Sequence, residues 1–124
     1  MPSVKLQAIE GTFAICRLPP TVDIPMLSSR FLSVTRTPEE TSIVCEQAVA
    51  PDGGEVDRNW RCFRCAGVLD FALTGVLESM AAPLAEAQIS IFAISTYDTD
   101  YILVKADDWE AAVQTLTGVG FKWL

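Results

Sequence analysis

The residues of this 124-residue chain best suited to chemistry by type and spacing lie in two places: the acidic run Ser95-Thr-Tyr-Asp-Thr-Asp100, and Phe71-Ala-Leu-Thr-Gly-Val-Leu77, which leads into an amphipathic helical pattern. The acidic run sits between two alternating apolar segments within 89–105, the pattern of a strand, a tight turn and a returning strand. A helix N-terminus offers unbonded N–H groups and the positive end of its dipole to a carboxylate. An acidic turn offers the opposite pole to an ammonium. Set on neighbouring sheet ends, the two suit recognition of an amino acid rather than bond breaking.

Other chemistries are poorly supplied. The chain has no histidine, which excludes Ser-His-Asp, Cys-His and His-ligated metal schemes. Cys62-Phe-Arg-Cys65 is an isolated C-x-x-C inside a strand-like run, where thiols three apart point to opposite faces. A zinc site also needs a second ligand pair. The four cysteines (Cys16, Cys45, Cys62, Cys65) therefore read as small core residues. Gly53-Gly54 lacks the flanking spacing of a phosphate loop. No metal, no cofactor and no catalytic residue is expected, paired-carboxylate work by Asp98 and Asp100 being the remaining enzymatic reading.

The formal charge of −7 is uneven, with seven Lys/Arg against eight Asp/Glu in 1–65 and two against eight in 66–124. Such a surface repels phosphate backbones, so nucleic acid is not an expected partner. No apolar run reaches the roughly 18 residues of a membrane span. The N-terminal Met-Pro-Ser-Val-Lys lacks the regions of a signal peptide, and a cytoplasmic location is expected.

The elements that must position the acidic turn recur. Without gaps, at an offset of 60, the segment 34–44 lies over 94–104, each a strand, an acidic turn and a strand. The second copy predicts a strand near 60–67, a helix at 75–87, strands at 89–96 and 100–105, a helix at 108–118 and a short strand at 121–124. Pro83 is expected to kink or shorten the first helix. Asp107 and Glu110 are spaced as a capping box for the second. The first copy reads as a strand at 11–18, a short helix at 24–29 and a hairpin at 31–45, with 50–55 as linker. The order predicts an α+β protein of two ferredoxin-like (βαββαβ) modules with helices on one face, at 1–57 (abbreviated) and 58–124.

The runs Ser95-Thr-Tyr-Asp-Thr-Asp-Tyr-Ile-Leu-Val104, Pro83-Leu-Ala-Glu-Ala-Gln-Ile-Ser90, Leu69-Asp-Phe-Ala-Leu-Thr-Gly75 and Phe31-Leu-Ser-Val-Thr-Arg-Thr-Pro-Glu-Glu40 resemble the ACT domains of the CASTOR-type arginine sensors and their small bacterial relatives. The resemblance implies tandem ACT modules that bind an amino acid at a domain or subunit interface. Carried over by position, the loop before the first helix of the second module supplies Thr74, Gly75 and Val76, and the hairpin supplies Thr96, Tyr97, Thr99 and Asp100. The acidic residue that those sensors carry two positions before the loop glycine is Leu73 here, so a guanidinium partner is missing.

Together these readings describe a non-catalytic regulatory module for a small-molecule amino acid, a homodimer acting on an enzyme or other protein. The alternative is a ligand-free module for dimerisation or docking.

Overall fold

The computed structural model describes residues 4–24, 26–66 and 75–124. In chain order the elements are β1 (Lys5–Leu18), β2 (Leu32–Arg36), β3 (Thr41–Glu46), β4 (Glu55–Cys65), α1 (Val76–Glu86), β5 (Ile91–Ser95), β6 (Asp100–Lys105), α2 (Trp109–Gly118) and β7 (Lys122–Trp123). Short 3-10 turns at Gln47–Val49 and Ala106–Asp108 follow β3 and β6. Contacts divide the chain into residues 1–10 with 61–124, and residues 11–60. The long strands β1 and β4 contribute to both units.

The larger unit contains the expected βαββαβ order in β4, α1, β5, β6, α2 and β7. Its strand neighbours are β1-β4-β6-β5, with β7 parallel to β1 through Lys5↔Lys122 and Leu6↔Trp123. The first residues of β1 thus stand between β4 and β7. Leu6 is fully buried in the core of this unit, with Phe63, Cys65, Val76, Met80, Leu84, Ile102, Val104, Ala112 and Leu116. The α1 stripe (Val76, Met80, Leu84) recurs every four residues and the α2 pair (Ala112, Leu116) repeats that spacing, so each helix turns one apolar face onto the sheet.

In the smaller unit β1 pairs antiparallel with β3 from Phe13↔Glu46 to Leu18↔Thr41, and β3 pairs with β2 from Leu32↔Cys45 to Arg36↔Thr41. Ala14, Cys16, Leu18, Ile43 and Cys45 form its core. Gly54 lies so close to the chain that an added Cβ would stand 2.0 Å from the Arg17 carbonyl oxygen. Asn59 takes a left-handed φ of 67° inside β4. The Gln47 amide fixes it, accepting the Asn59 N–H at 2.6 Å and donating to Asn59 Oδ1 at 3.3 Å.

Four local expectations change. The described residues of 24–29 form no helix. Pro25 biases Ile24 away from helical backbone, and Ser29 is tied to its surroundings by its hydroxyl, which donates to the Phe31 carbonyl and accepts the Glu46 N–H. Pro83 does not shorten α1, which continues to Glu86 with Ala87 N–H bonded to the Pro83 carbonyl. The capping box at Asp107 and Glu110 is not formed, because the 3-10 turn makes Asp108 the residue before α2 and no side chain caps it.

The fourth correction concerns the repeat. Both hairpins close over four residues, 37–40 and 96–99, with Arg36 paired to Thr41 and Ser95 to Asp100. In each, the threonine opening the turn sends its N–H to the carbonyl three residues on: Thr37 to Glu40 at 2.9 Å and Thr96 to Thr99 at 2.8 Å. The 3-10 turns that follow keep the same spacing. The structural offset is therefore 59, and Thr41, not Glu40, is the counterpart of Asp100. Apolar matching favoured 60, whereas turn hydrogen bonds set the register.

Candidate functional site

The β5–β6 turn is held by its own threonines. The Thr96 hydroxyl donates to the Thr99 carbonyl at 3.1 Å and accepts the Thr99 N–H at 3.3 Å. Thr99 is only 4% exposed, and its hydroxyl donates to the Cys65 carbonyl at 3.0 Å. That bond pins the turn to the end of β4. Tyr97, at 82% exposure, stands out from the tip. Asp100 is half-buried and accepts the Ser95 hydroxyl at 2.6 Å, so one carboxylate oxygen is fixed across the strand ends.

The other pole begins at Gly75, which caps α1 with a left-handed φ of 77° and no side-chain hydrogen bond. Only glycine takes that conformation without steric cost. The first helical bond runs from Ser79 N–H to the Gly75 carbonyl at 2.9 Å, so the N–H groups of Val76, Leu77 and Glu78 precede the ladder. The Val76 side chain is buried in the core, leaving its backbone as the part able to meet a ligand. Thr74 and Leu73 lie outside the described residues.

Cys65 touches both the β5–β6 turn and α1. It receives the Thr99 hydroxyl on its carbonyl, and its Sγ lies 3.8 Å from Sδ of Met80, one helical turn into α1. Burial pushes its thiol up to about 11, and the negative charge of Asp100 adds to the rise. Cys62 is pushed up to about 12 by burial alone, and Cys45 to about 11 by burial and by Cys16 beside it. All four thiols are buried and unbridged, and Cys62 stands outside the cluster that holds Cys65, as strand alternation requires. Protonated and enclosed, they are poor nucleophiles and poor metal ligands.

The sequence did not single out Ser95 as the group that orients Asp100, nor the Cys65 carbonyl as the anchor of the turn. The Ser95 pairing follows from its place opposite Asp100 once the four-residue loop is known. The Cys65 contact spans 34 residues and has no local signal. Among the described residues, no helix is long and apolar enough to cross a membrane.

A sequence model of the ACT domain matches residues 55–118, and one of an N-terminal domain matches residues 11–52. Over 98 residues the chain is 30% identical to the human cytosolic arginine sensor for mTORC1 subunit 1, a match covering 70% of this chain and 30% of the sensor. The chain thus spans under a third of that relative. A crystal structure of a protein from Agobacterium tumefaciens superposes with a TM-score of 0.91 at 36% identity, covering 98% of this chain and 92% of that one. The regulatory subunit of aspartate kinase from Thermus thermophilus shares the fold, with a TM-score of 0.63 at 13% identity over 91% of this chain and 95% of that one. With its βαββαβ unit, and with an ACT-domain match across more than half its length, the chain belongs to the ACT-domain family.

Proposed function

We propose that the chain is a non-catalytic, amino-acid-binding regulatory module built from two ACT-like units, the N-terminal one abbreviated. The ligand carboxylate meets the N–H groups at the start of α1, contributed by Thr74, Gly75 and Val76. Asp100 holds the ammonium. Tyr97 covers the ligand side chain, while Thr96 and Thr99 keep the turn in shape. The observation that carries this reading is the Thr99–Cys65 hydrogen bond, which ties the acidic turn to the strand from which the chain goes on to α1.

Magnitudes say where the ligand must sit. An exposed anion at a helix end gains about 0.3–1 kcal/mol. An exposed carboxylate–ammonium pair adds roughly 0–1 kcal/mol. Millimolar affinity needs about 4 kcal/mol. With Gly75 exposed and Asp100 half-buried, a second surface has to enclose the ligand, as a second copy in a homodimer would. Binding is then linked to assembly, and through it to a regulated enzyme or other protein in the cytoplasm.

The test is a thermal-shift screen of the full chain against each proteinogenic amino acid and its D-enantiomer. A stereospecific rise of several degrees for one L-amino acid, lost in Asp100→Ala, supports the reading. Failure of every amino acid to shift a stably oligomeric protein overturns it in favour of a ligand-free docking module.

A further inference from the structure

Two donors in the larger unit are buried without an acceptor. Nε of Arg61 and Nε1 of Trp123 have no hydrogen-bond partner among the described residues. Both groups can only donate, so neither can satisfy the other, and a folded protein seldom leaves such groups unmatched. They border the same ring. The Arg61 guanidinium carbon lies 4.5 Å from the centroid of Trp109, whose ring is 6.0 Å from that of Trp123. Phe63 packs beneath, 5.3 Å from Trp123 and 6.2 Å from Trp109.

Charge sharpens the mismatch. Neither of the ion pairs Arg17–Glu55 and Arg30–Glu46 involves Arg61. A half-buried guanidinium stacked on an indole, with an unmatched N–H and a second unmatched N–H on the adjoining indole, calls for an acceptor that carries negative charge. Arg61, Trp109 and Trp123 are each half-buried, so the outer side of the cluster meets solvent. Asp107, Asp108 and Glu110 flank Trp109 in sequence and disfavour a polyanion. One charge and an apolar body that can lie on an indole fit best.

We propose that Arg61, Trp109 and Trp123 form a further ligand site for a small monocarboxylate with an apolar body. Its carboxylate accepts from Arg61 Nε–H and Trp123 Nε1–H, and its apolar part rests on the Trp109 ring. The site is separate from the Gly75–Asp100 region. Arg61 precedes Cys65 by four residues along β4, about 13 Å at roughly 3.3 Å per residue.

Calorimetric titration of the full chain at constant ionic strength tests this, with sodium benzoate as probe, sodium acetate as the carboxylate without a ring and benzyl alcohol as the ring without a carboxylate. Saturable benzoate binding is expected, at least tenfold tighter than for acetate and absent for benzyl alcohol. Arg61→Met and Trp123→Phe, which keep packing and remove one donor each, should weaken it at least tenfold. No benzoate binding up to about ten millimolar, where the affinity scale falls below ordinary ligand recognition, overturns the proposal. Undiminished binding in both folded variants does the same.

Discussion

The hydroxyl of Thr99 donates to the carbonyl of Cys65 across 3.0 Å, joining the β5–β6 turn to the end of β4 inside the core of the larger unit. The turn leads into Asp100, the half-buried carboxylate of the candidate ligand site, and Cys65 packs against α1 through Met80. Position of the acid is therefore set from the interior as well as by the Ser95 and Thr96 hydroxyls of the exposed turn.

Removing that hydroxyl should loosen the turn and strand a buried carbonyl. Thr99→Val is expected to lose about 1–3 kcal/mol in urea denaturation, the cost of an unsatisfied buried polar group. Thr99→Ser, which retains the donor, should recover most of it.

Leu6 tests which residues make a folding unit. Although it lies in the first strand, its side chain is fully buried among Phe63, Met80 and Leu116. Leu6→Ala should destabilise by about 2–5 kcal/mol. A fragment of residues 58–124 alone should show no cooperative thermal transition, because it lacks the strand between β4 and β7.

Two glycines should respond with opposite signs. Gly54→Ala would set a methyl 2.0 Å from the Arg17 carbonyl oxygen, a backbone atom that cannot give way cheaply. A loss of about 1–3 kcal/mol, as for overpacking, is expected in denaturant melts. Gly118, at the end of α2, has open space where its Cβ would be. Gly118→Ala should raise stability by up to about 1 kcal/mol through helix propensity.

The thiols set an alkaline limit. Burial raises Cys45 and Cys65 to about 11 and Cys62 to about 12, against 9.0 for an unperturbed thiol. The unfolded chain then releases protons first, so the stabilisation is fully present below pH 9 and is lost as pH rises through the folded values. Urea midpoints measured from pH 7 to 10.5 should hold steady and then fall. At pH 8 a thiol reagent such as Ellman's should label the native protein slowly, and four thiols once it is unfolded.

Local pattern alone carried much of this architecture. The stripes of α1 and α2 and the short apolar runs of β5 and β6 on either side of a polar turn were legible because helical period and turn residues are written into neighbouring positions. The left-handed start of α1 at Gly75 was marked by the residue type itself. The absence of histidine and the acidic balance narrowed the chemistry before any fold was considered. Tertiary structure decided the rest. The insertion of β1 between β4 and β7, the offset of 59 between hairpins and the inward turn of the Thr99 hydroxyl all depend on partners distant in the chain. Such pairings are settled by which backbone groups and apolar faces can be satisfied together, and no run of neighbouring residues holds that information.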